Sequence, residues 1–389
     1  MPSSGEIAWA VLSVPSHLGL RHNAAAAGNS GPGAFSTHTR TGGEVQKPSL
    51  ILSAAMSVLA LAGCSGRNDG AAKSTRACVI LPDASSSPRW ESLDRPALAG
   101  GLEQAGFSSD IQNAQGDTGK YATIADQQLA RGCGVMLLID HNGAGAAVAS
   151  RARQQGIPVI AYDRPIPGAD YYVSFDNKKV GELEGQSIVD GLIAAGKDPA
   201  RAVVVYMGGD PADGNAKMFR DGAHRAMSAA GITPAHEPPG VWDSNKSATN
   251  FEQALTALGG RVDAVWAAND TNAAGVITVL DKNQLRLPVS GQDASIAGLQ
   301  NVLLGKQAAT VWKPAGVEAK AAVETAVALL KGEKPVANQT LDDGTPYVSV
   351  EPILVGPEQV KDVVAAGDAS AASLCTADVA AACTKYGVQ

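Results

Sequence analysis

From about residue 76 the chain alternates continuous apolar runs with helical stretches, and it does so twice in series. The first set of apolar runs lies at 77–81, 135–139 and 157–162, and the second set lies at 202–207, 262–266 and 287–290. Strands that are apolar throughout are buried on both faces, as in parallel sheets covered by helices. The sequence therefore predicts an α/β chain with two Rossmann-like lobes, each built on a parallel sheet.

Polar clusters stand where several of these predicted strands end. They are Tyr162-Asp163-Arg164, Asp213-Gly214-Asn215, Asn269-Asp270 and Gln292-Asp293, with Lys313 soon after the last. Ligands of open parallel sheets bind beyond the carboxyl ends of the strands, so two facing sheets would bring these clusters into one crevice. Carboxylates, carboxamides and cations together suit a neutral ligand covered in hydroxyls, since each hydroxyl both donates and accepts. We expect a receptor for a small carbohydrate.

Charge and motif content exclude several other classes of function. The 389 residues carry a formal net charge of −7, whereas nucleic-acid binding needs a basic face. The sequence has no Gly-x-Ser-x-Gly nucleophile elbow, and the histidines after residue 76 (His141, His224 and His236) lie at no metal-binding spacing. We expect no catalysis, no metal, no cofactor and no nucleic-acid partner.

The N-terminal part of the chain has the pattern of an export leader. Residues 50–62 form an apolar run that is too short to span a bilayer but typical of a signal peptide, and Arg40 and Lys47 precede it. Leu61-Ala62-Gly63-Cys64 resembles a bacterial lipobox, in which the cysteine is acylated after cleavage; an apolar core helix is the alternative. We predict a leader and signal peptide over 1–63, a lipid anchor on Cys64 and a flexible tether over 64–76, which together hold the protein outside the cytoplasmic membrane.

The four other cysteines form an even set with no CxxC pair. Cys78 opens the first predicted strand and Cys133 precedes the strand at 135–139, so parallel neighbouring strands would place them side by side. Cys375 and Cys383 flank a short segment near the C-terminus. In an oxidising compartment these pairs are expected to form disulfides, with buried free thiols as the alternative.

A series of sequence strings spread over about 77–365 matches one family in order. The strings are Ala161-Tyr162-Asp163-Arg164, Val173-Ser174-Phe175-Asp176-Asn177, Val180-Gly181-Glu182-Leu183, Met207-Gly208-Gly209, Asn215-Ala216-Lys217, Ala268-Asn269-Asp270, Ser290-Gly291-Gln292-Asp293 and Val311-Trp312-Lys313-Pro314. Through them the chain resembles the bacterial D-xylose-binding proteins of ABC importers, within the type I periplasmic-binding-protein superfamily. The resemblance implies a Venus-flytrap fold, in which two lobes joined by three hinge strands close on one monosaccharide.

The resemblance also implies a division of the chain. Hinges are expected near 175–177, 309–311 and 343–347. Lobe one is then 77–176 plus 311–343, and lobe two is 177–310 plus 344–365. Residues 366–389 would form a C-terminal tail stapled by the Cys375–Cys383 disulfide.

Ligand residues carry over from the resemblance where the motifs match. They are Arg89, Trp90, Asp163 and Arg164 from lobe one, Asp213, Asn215, Trp242, Asn269 and Asp293 from lobe two, and Lys313 from the hinge region. The two tryptophans would cover the apolar C–H faces of a sugar ring while the polar residues bond its rim. The implied partners are a monosaccharide (D-xylose or a related pentose or hexose) and an ABC permease, and the protein is expected to be a monomer.

Several of these residues also have a purely structural interpretation. Asp163-Arg164 fits a surface turn, Asp213-Gly214-Asn215 fits a helix cap, Trp242 fits a loop anchor and Lys313 fits a solvent-exposed side chain. Asn269-Asp270 also fits a cap of the next helix, and Asp270 is expected to cap it even if Asn269 binds ligand. Arg89 follows Ser85-Ser86-Ser87-Pro88, which departs from the more charged segment of the family, and Asp140-His141-Asn142-Gly143 departs as well. His141 is expected only to line the cleft, and Trp266, inside a strand, is expected in the core.

Rival functions find weaker support in the sequence. Gly143-Ala144-Gly145-Ala146-Ala147-Val148 before Asp163 suggests an NAD-dependent enzyme, but Val148 stands where the third glycine belongs. A LacI-like repressor core would need an N-terminal helix-turn-helix in place of the leader. Asp163 and Asp293 could mimic a glycosidase pair, but flanking Arg and Lys would keep both ionised. A sugar-binding module that feeds a membrane sensor remains open.

Overall fold

The computed structural model describes residues 74–84 and 87–389. The predicted leader and signal peptide, the lipidation site Cys64 and the tether up to residue 73 lie outside the described residues. Within the described ranges, no helix is both long and apolar enough to cross a membrane.

Strands and helices alternate along most of the described chain. The strands are β1 Arg76–Leu81, β2 Ser108–Asn113, β3 Val135–Leu138, β4 Val159–Tyr162, β5 Tyr171–Phe175, β6 Val204–Met207, β7 Pro234–His236, β8 Ala264–Ala267, β9 Thr310–Trp312, β10 Gln339–Thr340, β11 Pro346–Val350 and β12 Ile353–Val355. The α-helices are α1 Arg95–Gln104, α2 Thr118–Ala130, α3 Ala144–Gln154, α4 Asn177–Ala194, α5 Gly214–Ala229, α6 Ser244–Ala257, α7 Asp270–Lys282, α8 Ile296–Leu303, α9 Ala315–Lys331, α10 Val360–Ala365, α11 Ala371–Leu374 and α12 Ala380–Tyr386. A π-helical turn, Trp90–Asp94, precedes α1.

Lobe one is built on a seven-stranded sheet in the order β10-β11-β5-β4-β3-β1-β2. Its neighbours pair in parallel except β10, which is antiparallel to β11. Successive residues of β1 face opposite sides, so that Cys78 and Ile80 pack with α2 and α3 while Val79 and Leu81 pack with α1 and α9. Helices on both faces bury the central strands completely, which confirms the predicted parallel sheet.

Lobe two is built on the parallel order β7-β6-β8. A single parallel bridge joins Val265 of β8 to Val289, and another joins Gln292 to Val311 of β9. β9 in turn pairs antiparallel with β12. The predicted strand at 287–290 is therefore reduced to one bridge, which joins it to β8. Trp266 lies in the lobe-two core with no exposed surface, as predicted.

The chain passes between the lobes three times, and the second and third crossings lie later than predicted. The first crossing joins β5 to α4 at residue 176, and the second joins β9 to α9 at 313–314. The third lies at 351–352, because β11 pairs with β5 in the lobe-one sheet while β12 pairs with β9. The assignment of 344–365 to lobe two is therefore wrong for residues 346–350. Similarly, 311–312 belong to β9 in lobe two and not to lobe one.

The C-terminal segment packs onto lobe two and is not a detached tail. Leu374 and Val379 share a buried cluster with Leu299 and Val302 of α8. Asp368 accepts a hydrogen bond from Nε1 of Trp312 at 2.8 Å, which links the segment to β9. Both predicted disulfides, Cys78–Cys133 and Cys375–Cys383, are present.

Candidate ligand site between the lobes

A cavity lies between the carboxyl ends of the two parallel sheets. All ten predicted ligand residues line it: Arg89, Trp90, Asp163, Arg164, Asp213, Asn215, Trp242, Asn269, Asp293 and Lys313. Gln292, which was expected in the crevice but not among the ligand residues, also lines it, whereas Ser87 and Phe219 were not predicted. That the ten residues bind a ligand stays a prediction, but the structure brings every one of them to the same place.

Two aspartates occupy equivalent positions in the two lobes. The N–H of Asp163, after β4, donates to the carbonyl oxygen of Val173 in β5 at 2.8 Å. The N–H of Asp293 donates to the carbonyl oxygen of Val311 in β9, also at 2.8 Å. Both aspartates have positive φ, 61° and 96°, a conformation uncommon for residues with a side chain and concentrated at functional sites. Each lobe thus presents one carboxylate to the cavity from a backbone position with positive φ.

Arg89 is the centre of a buried charge cluster on the lobe-one wall. Its guanidinium donates to both carboxylate oxygens of Asp94 at 2.9 Å, and it also contacts the Glu318 carboxylate. Burial alone would lower the pKa of Arg89, but Asp94, Glu318 and Asp163 outweigh burial and raise it. Nη1 lies 3.3 Å from Oδ2 of Asp163 and makes no hydrogen bond. Nη1 of Arg89 is therefore a buried cationic donor without a hydrogen bond, on a residue that lines the cavity.

Trp90 and Trp242 stand on opposite lobes. The Trp90 ring is buried, and the guanidinium carbons of Arg89 and Arg164 lie 4.7 Å and 5.5 Å from its centroid. Nε1 of Trp242 donates to Asp213 at 3.2 Å. A Cβ atom at Gly209 would lie 2.1 Å from the Trp242 ring, so the indole can occupy this place only because residue 209 lacks a side chain.

Lys313, just after β9, pairs with the Asp293 carboxylate at 2.9 Å. Its ammonium also lies 5.5 Å from the centroid of Phe219. Burial would lower the pKa of Lys313, but Asp293, followed by Asp163, outweighs burial and raises it, which keeps the lysine charged. Neighbouring Gln292 donates through Nε2 to the carbonyl oxygen of Ala268 at 2.6 Å, while its buried Oε1 has no hydrogen-bond partner.

Two of the predicted ligand residues also cap helices, as their structural interpretation allowed. Asp213 accepts from the N–H of Asn215 at 2.9 Å, and Asn269 accepts from the N–H of Asn272 at 2.8 Å. The prediction that Asp270 caps α7 is wrong, because Asn269 takes that position. Asp270 is buried in the first turn, where burial, followed by the charge of Asp293, raises its pKa to about 7.

The lobes also contact each other directly beside the cavity. Nε of Arg164 lies 3.2 Å from Oδ2 of Asp213 across the cleft. Nδ2 of Asn215 donates to the carbonyl oxygen of Asp163 at 2.7 Å, and Oδ1 of Asn215 accepts from the Tyr172 hydroxyl at 2.8 Å. Asn215 therefore joins the two lobes, in addition to lining the cavity as predicted.

A second cavity lies at the mouth of the cleft and shares Arg164, Asp213 and Trp242 with the first. His141 lines this outer cavity and not the inner one, with Nδ1 lying 3.9 Å from the Asp83 carboxylate. Among the described residues, no group of three or more His, Cys, Asp or Glu side chains is arranged to hold a metal ion. The inner cavity offers charged donors, carboxylate acceptors and two indoles.

Two α/β lobes with three crossings and a polar cavity between them define a two-lobed receptor architecture. The family described as periplasmic binding protein domain matches residues 78–334, and the chain belongs to this family. The D-xylose-binding periplasmic protein of Escherichia coli strain K12 is 35% identical over 289 residues, which cover 71% of this chain and 85% of that protein. The protein of the same name from Haemophilus influenzae is 37% identical with the same coverage. The multiple sugar-binding periplasmic protein SbpA of Azospirillum brasilense is 31% identical over 320 residues, covering 76% of this chain and 89% of that one.

Solved structures of solute-binding proteins share the fold. An ABC transporter solute binding protein from Clostridium phytofermentans with bound β-D-glucose superposes with a TM-score of 0.69 at 25% identity, covering 77% of this chain and 99% of that chain. A carbohydrate transporter solute binding protein from Chloroflexus aurantiacus in complex with D-glucose gives a TM-score of 0.67 at 26% identity, covering 77% and 98%. These relatives are solute-binding proteins and not enzymes.

Proposed function

We propose that this protein captures a monosaccharide, D-xylose or a related pentose or hexose, between its lobes and delivers it to an ABC permease. The observation that carries the proposal is the chemistry of the inner cavity. Two lining residues hold buried polar atoms without a hydrogen bond, a donor at Nη1 of Arg89 and an acceptor at Oε1 of Gln292. Because a sugar hydroxyl accepts and donates, one polyol is suited to satisfy both.

The names of the relatives support a sugar as the ligand. Two relatives at 35% and 37% identity are D-xylose-binding proteins, and two structural neighbours were solved with glucose bound. The indoles of Trp90 and Trp242, one on each lobe, are suited to cover the apolar faces of a pyranose. The carboxylates of Asp163 and Asp293 are suited to accept from hydroxyls at its rim.

Closure of the cleft is the proposed mechanism. Each lobe supplies part of the lining, so the complete set of contacts to the sugar forms only when the lobes are closed. Sugar binding then shifts the population toward the closed state, by as much as the difference between its affinities for the two states. The permease is proposed to recognise the closed outline, and the protein to act as a monomer. Cleavage after Gly63 and acylation of Cys64 would tether it to the outer face of the cell membrane.

A panel of ligands in a thermal-shift assay followed by calorimetry tests the sugar proposal. D-xylose, other pentoses and hexoses are expected to raise the melting temperature, whereas amino acids and nucleosides are not. Asp293→Asn, in the cavity, should lose the response to D-xylose. Asp126→Asn is the matched control, because Asp126 is 64% exposed on α2 and its surface ion pair with Arg151 is worth little. A response confined to amino acids or nucleosides would overturn the proposal.

A further inference from the structure

The turn at 292–295 has an unfavourable backbone that needs outside support. Asp293 and Ala294 both have positive φ, 96° and 47°, and in the described part of the chain no other two consecutive non-glycine residues do. Such conformations persist only where the surrounding structure over-determines them. The carboxylate of Asp293, which lines the cavity and pairs with Lys313, is carried by this turn.

Asp270 supplies much of that support from outside the cavity. Its N–H donates to the carbonyl oxygen of Gln292 at 3.0 Å, at the start of the turn. At the end of the turn, its Oδ2 accepts from the N–H and from the hydroxyl of Ser295 at 2.9 Å and 3.0 Å. One residue therefore brackets the turn on both sides.

The same carboxylate also reaches the strand that leads to the second crossing. Oδ1 of Asp270 accepts from the hydroxyl of Thr310 in β9 at 2.9 Å and from Nε2 of Gln307 at 2.8 Å. Thr310 in turn accepts from the N–H of Ala294 at 3.2 Å. Asp270 therefore links the start of α7, the strained turn and β9.

These contacts explain why a carboxylate stands here. Four donors converge on its two oxygens, and only an ionised carboxylate accepts on both. An asparagine would turn an NH₂ group toward donors at one end. The site is also tightly built, since a Cβ atom at Gly298 would lie 2.0 Å from Oδ2 of Asp270.

We propose that Asp270 is a positioning residue, which holds the strained turn and thereby presents the Asp293 carboxylate to the ligand. This inference rests on the proposed sugar-binding function, but its structural part does not depend on which ligand binds. Asp270 touches no ligand in this scheme and acts only through the turn and β9.

The first test needs no ligand. Amide hydrogen–deuterium exchange of Asp270→Asn at about pH 8 is expected to quicken by roughly 10-fold or more over 290–297, because the turn loses its acceptor. Exchange over 160–166, the equivalent strand end of lobe one, should not change. Exchange over 290–297 equal to that of the unaltered protein would overturn the inference. Thr310→Val is the milder variant if Asp270→Asn does not fold, and it should quicken the same segment.

The second test uses D-xylose as the probe. Asp270→Asn should weaken D-xylose binding roughly 10- to 100-fold, and in a protein that already carries Asp293→Asn it should weaken it little further. Ala294→Gly should restore part of the lost affinity, because glycine adopts positive φ without strain. A purely structural role for Asp270 would lower the melting temperature without either the coupling to Asp293 or the rescue by glycine. That result would also overturn the inference.

The two tests separate this inference from the proposed function. If the unaltered protein binds no sugar, the sugar proposal fails, and the exchange experiment still decides whether Asp270 holds the turn. If the unaltered protein binds D-xylose and Asp270→Asn binds it equally well, the sugar proposal stands and the positioning role falls. Asp126→Asn serves as the control in both tests.

Discussion

Replacing Arg164 by methionine should weaken sugar binding through the contact between the lobes. In the closed structure Nε of Arg164 lies 3.2 Å from Oδ2 of Asp213, and both side chains are about nine-tenths buried. Arg164 also donates through Nη1 to the carbonyl oxygen of Asp140 at 3.0 Å. Methionine keeps the aliphatic length but leaves the Asp213 carboxylate buried without its cation.

The size of the effect follows from where the cost falls. Removing one partner of a buried ion pair costs about 3–5 kcal/mol. Opening the cleft returns Asp213 to water, so the cost is borne by the closed state and therefore by the affinity. At about 1.4 kcal/mol for each factor of ten, D-xylose should bind roughly 10²- to 10³-fold more weakly, as measured by calorimetry.

The pH dependence of the variant distinguishes this mechanism from loss of a direct ligand contact. Burial raises the pKa of Asp213, and Arg164 partly opposes that rise. Without Arg164 the closed-state pKa of Asp213 should rise further, so the penalty holds above that pKa and disappears as Asp213 becomes protonated below it. Affinity of Arg164→Met should therefore improve from about pH 8 to about pH 5, and adding Asp213→Asn should recover part of the loss at about pH 8. Near-normal affinity at about pH 8, or an equal loss at both pH values, would refute the reasoning.

Three further outcomes are expected. Gly209→Ala should weaken D-xylose binding at least about 10-fold in calorimetry, because its Cβ would lie 2.1 Å from the Trp242 ring and displace it; unchanged affinity would argue against a role for this indole. Asp270 has a folded-state pKa of about 7 against an ordinary value of 3.8, so the part of the stability that comes from its bound proton is full below about pH 4 and is lost as pH rises through about 7. Between about pH 5 and pH 9 the unfolding free energy of the unaltered protein should therefore fall by about 2–3 kcal/mol more than that of Asp270→Asn, as measured in urea titrations. Identical pH profiles of the two proteins would contradict this. Replacing both Cys78 and Cys133 by alanine opens a bridge that spans 55 residues, which should cost about 4 kcal/mol of unfolding free energy, whereas a loss below about 1 kcal/mol would contradict the chain-entropy estimate.

The predictable part of the fold is the part whose burial is strongest. Strands β3, β4, β6 and β8 are apolar throughout, β1 is apolar after Arg76, and each was located from that pattern. β2, Ser108–Asn113, was not predicted, because it is a polar strand at the sheet edge and its sequence has no clear apolar face. The third crossing was misplaced because β11, Pro346–Val350, alternates buried and half-buried residues and does not itself reveal which sheet it joins.

Much of the cavity could be predicted because Asp163, Arg164, Asn215, Asn269, Asp293 and Lys313 sit in strings shared with a known family. Ser87 was not predicted because it lies in the segment that departs from that family. Phe219 was not predicted because it lies inside a helix with an apolar pattern. The link from Asn215 to the carbonyl oxygen of Asp163 depends on how far the lobes close, which no local pattern encodes. Asp270 was taken for a helix cap, since a sequence does not reveal which side chains lie beneath a strained turn.

Asp163 and Asp293, the two aspartates with positive φ, line the ligand site and are also bonded to strands that lead into the crossings between the lobes. Asp163 is bonded to β5, which leads into the first crossing, and Asp293 is bonded to β9, which leads into the second. A ligand that bonds both carboxylates therefore joins two crossing strands through one molecule. Rotation about residues 176 and 313–314 moves these strands relative to the opposite lobe, so it cannot leave both carboxylates on the ligand. For this reason both carboxylates can contact the ligand only when the lobes are closed. Substitutions that loosen the turn at Asp163 or the turn at Asp293 should therefore weaken binding even where they touch no sugar.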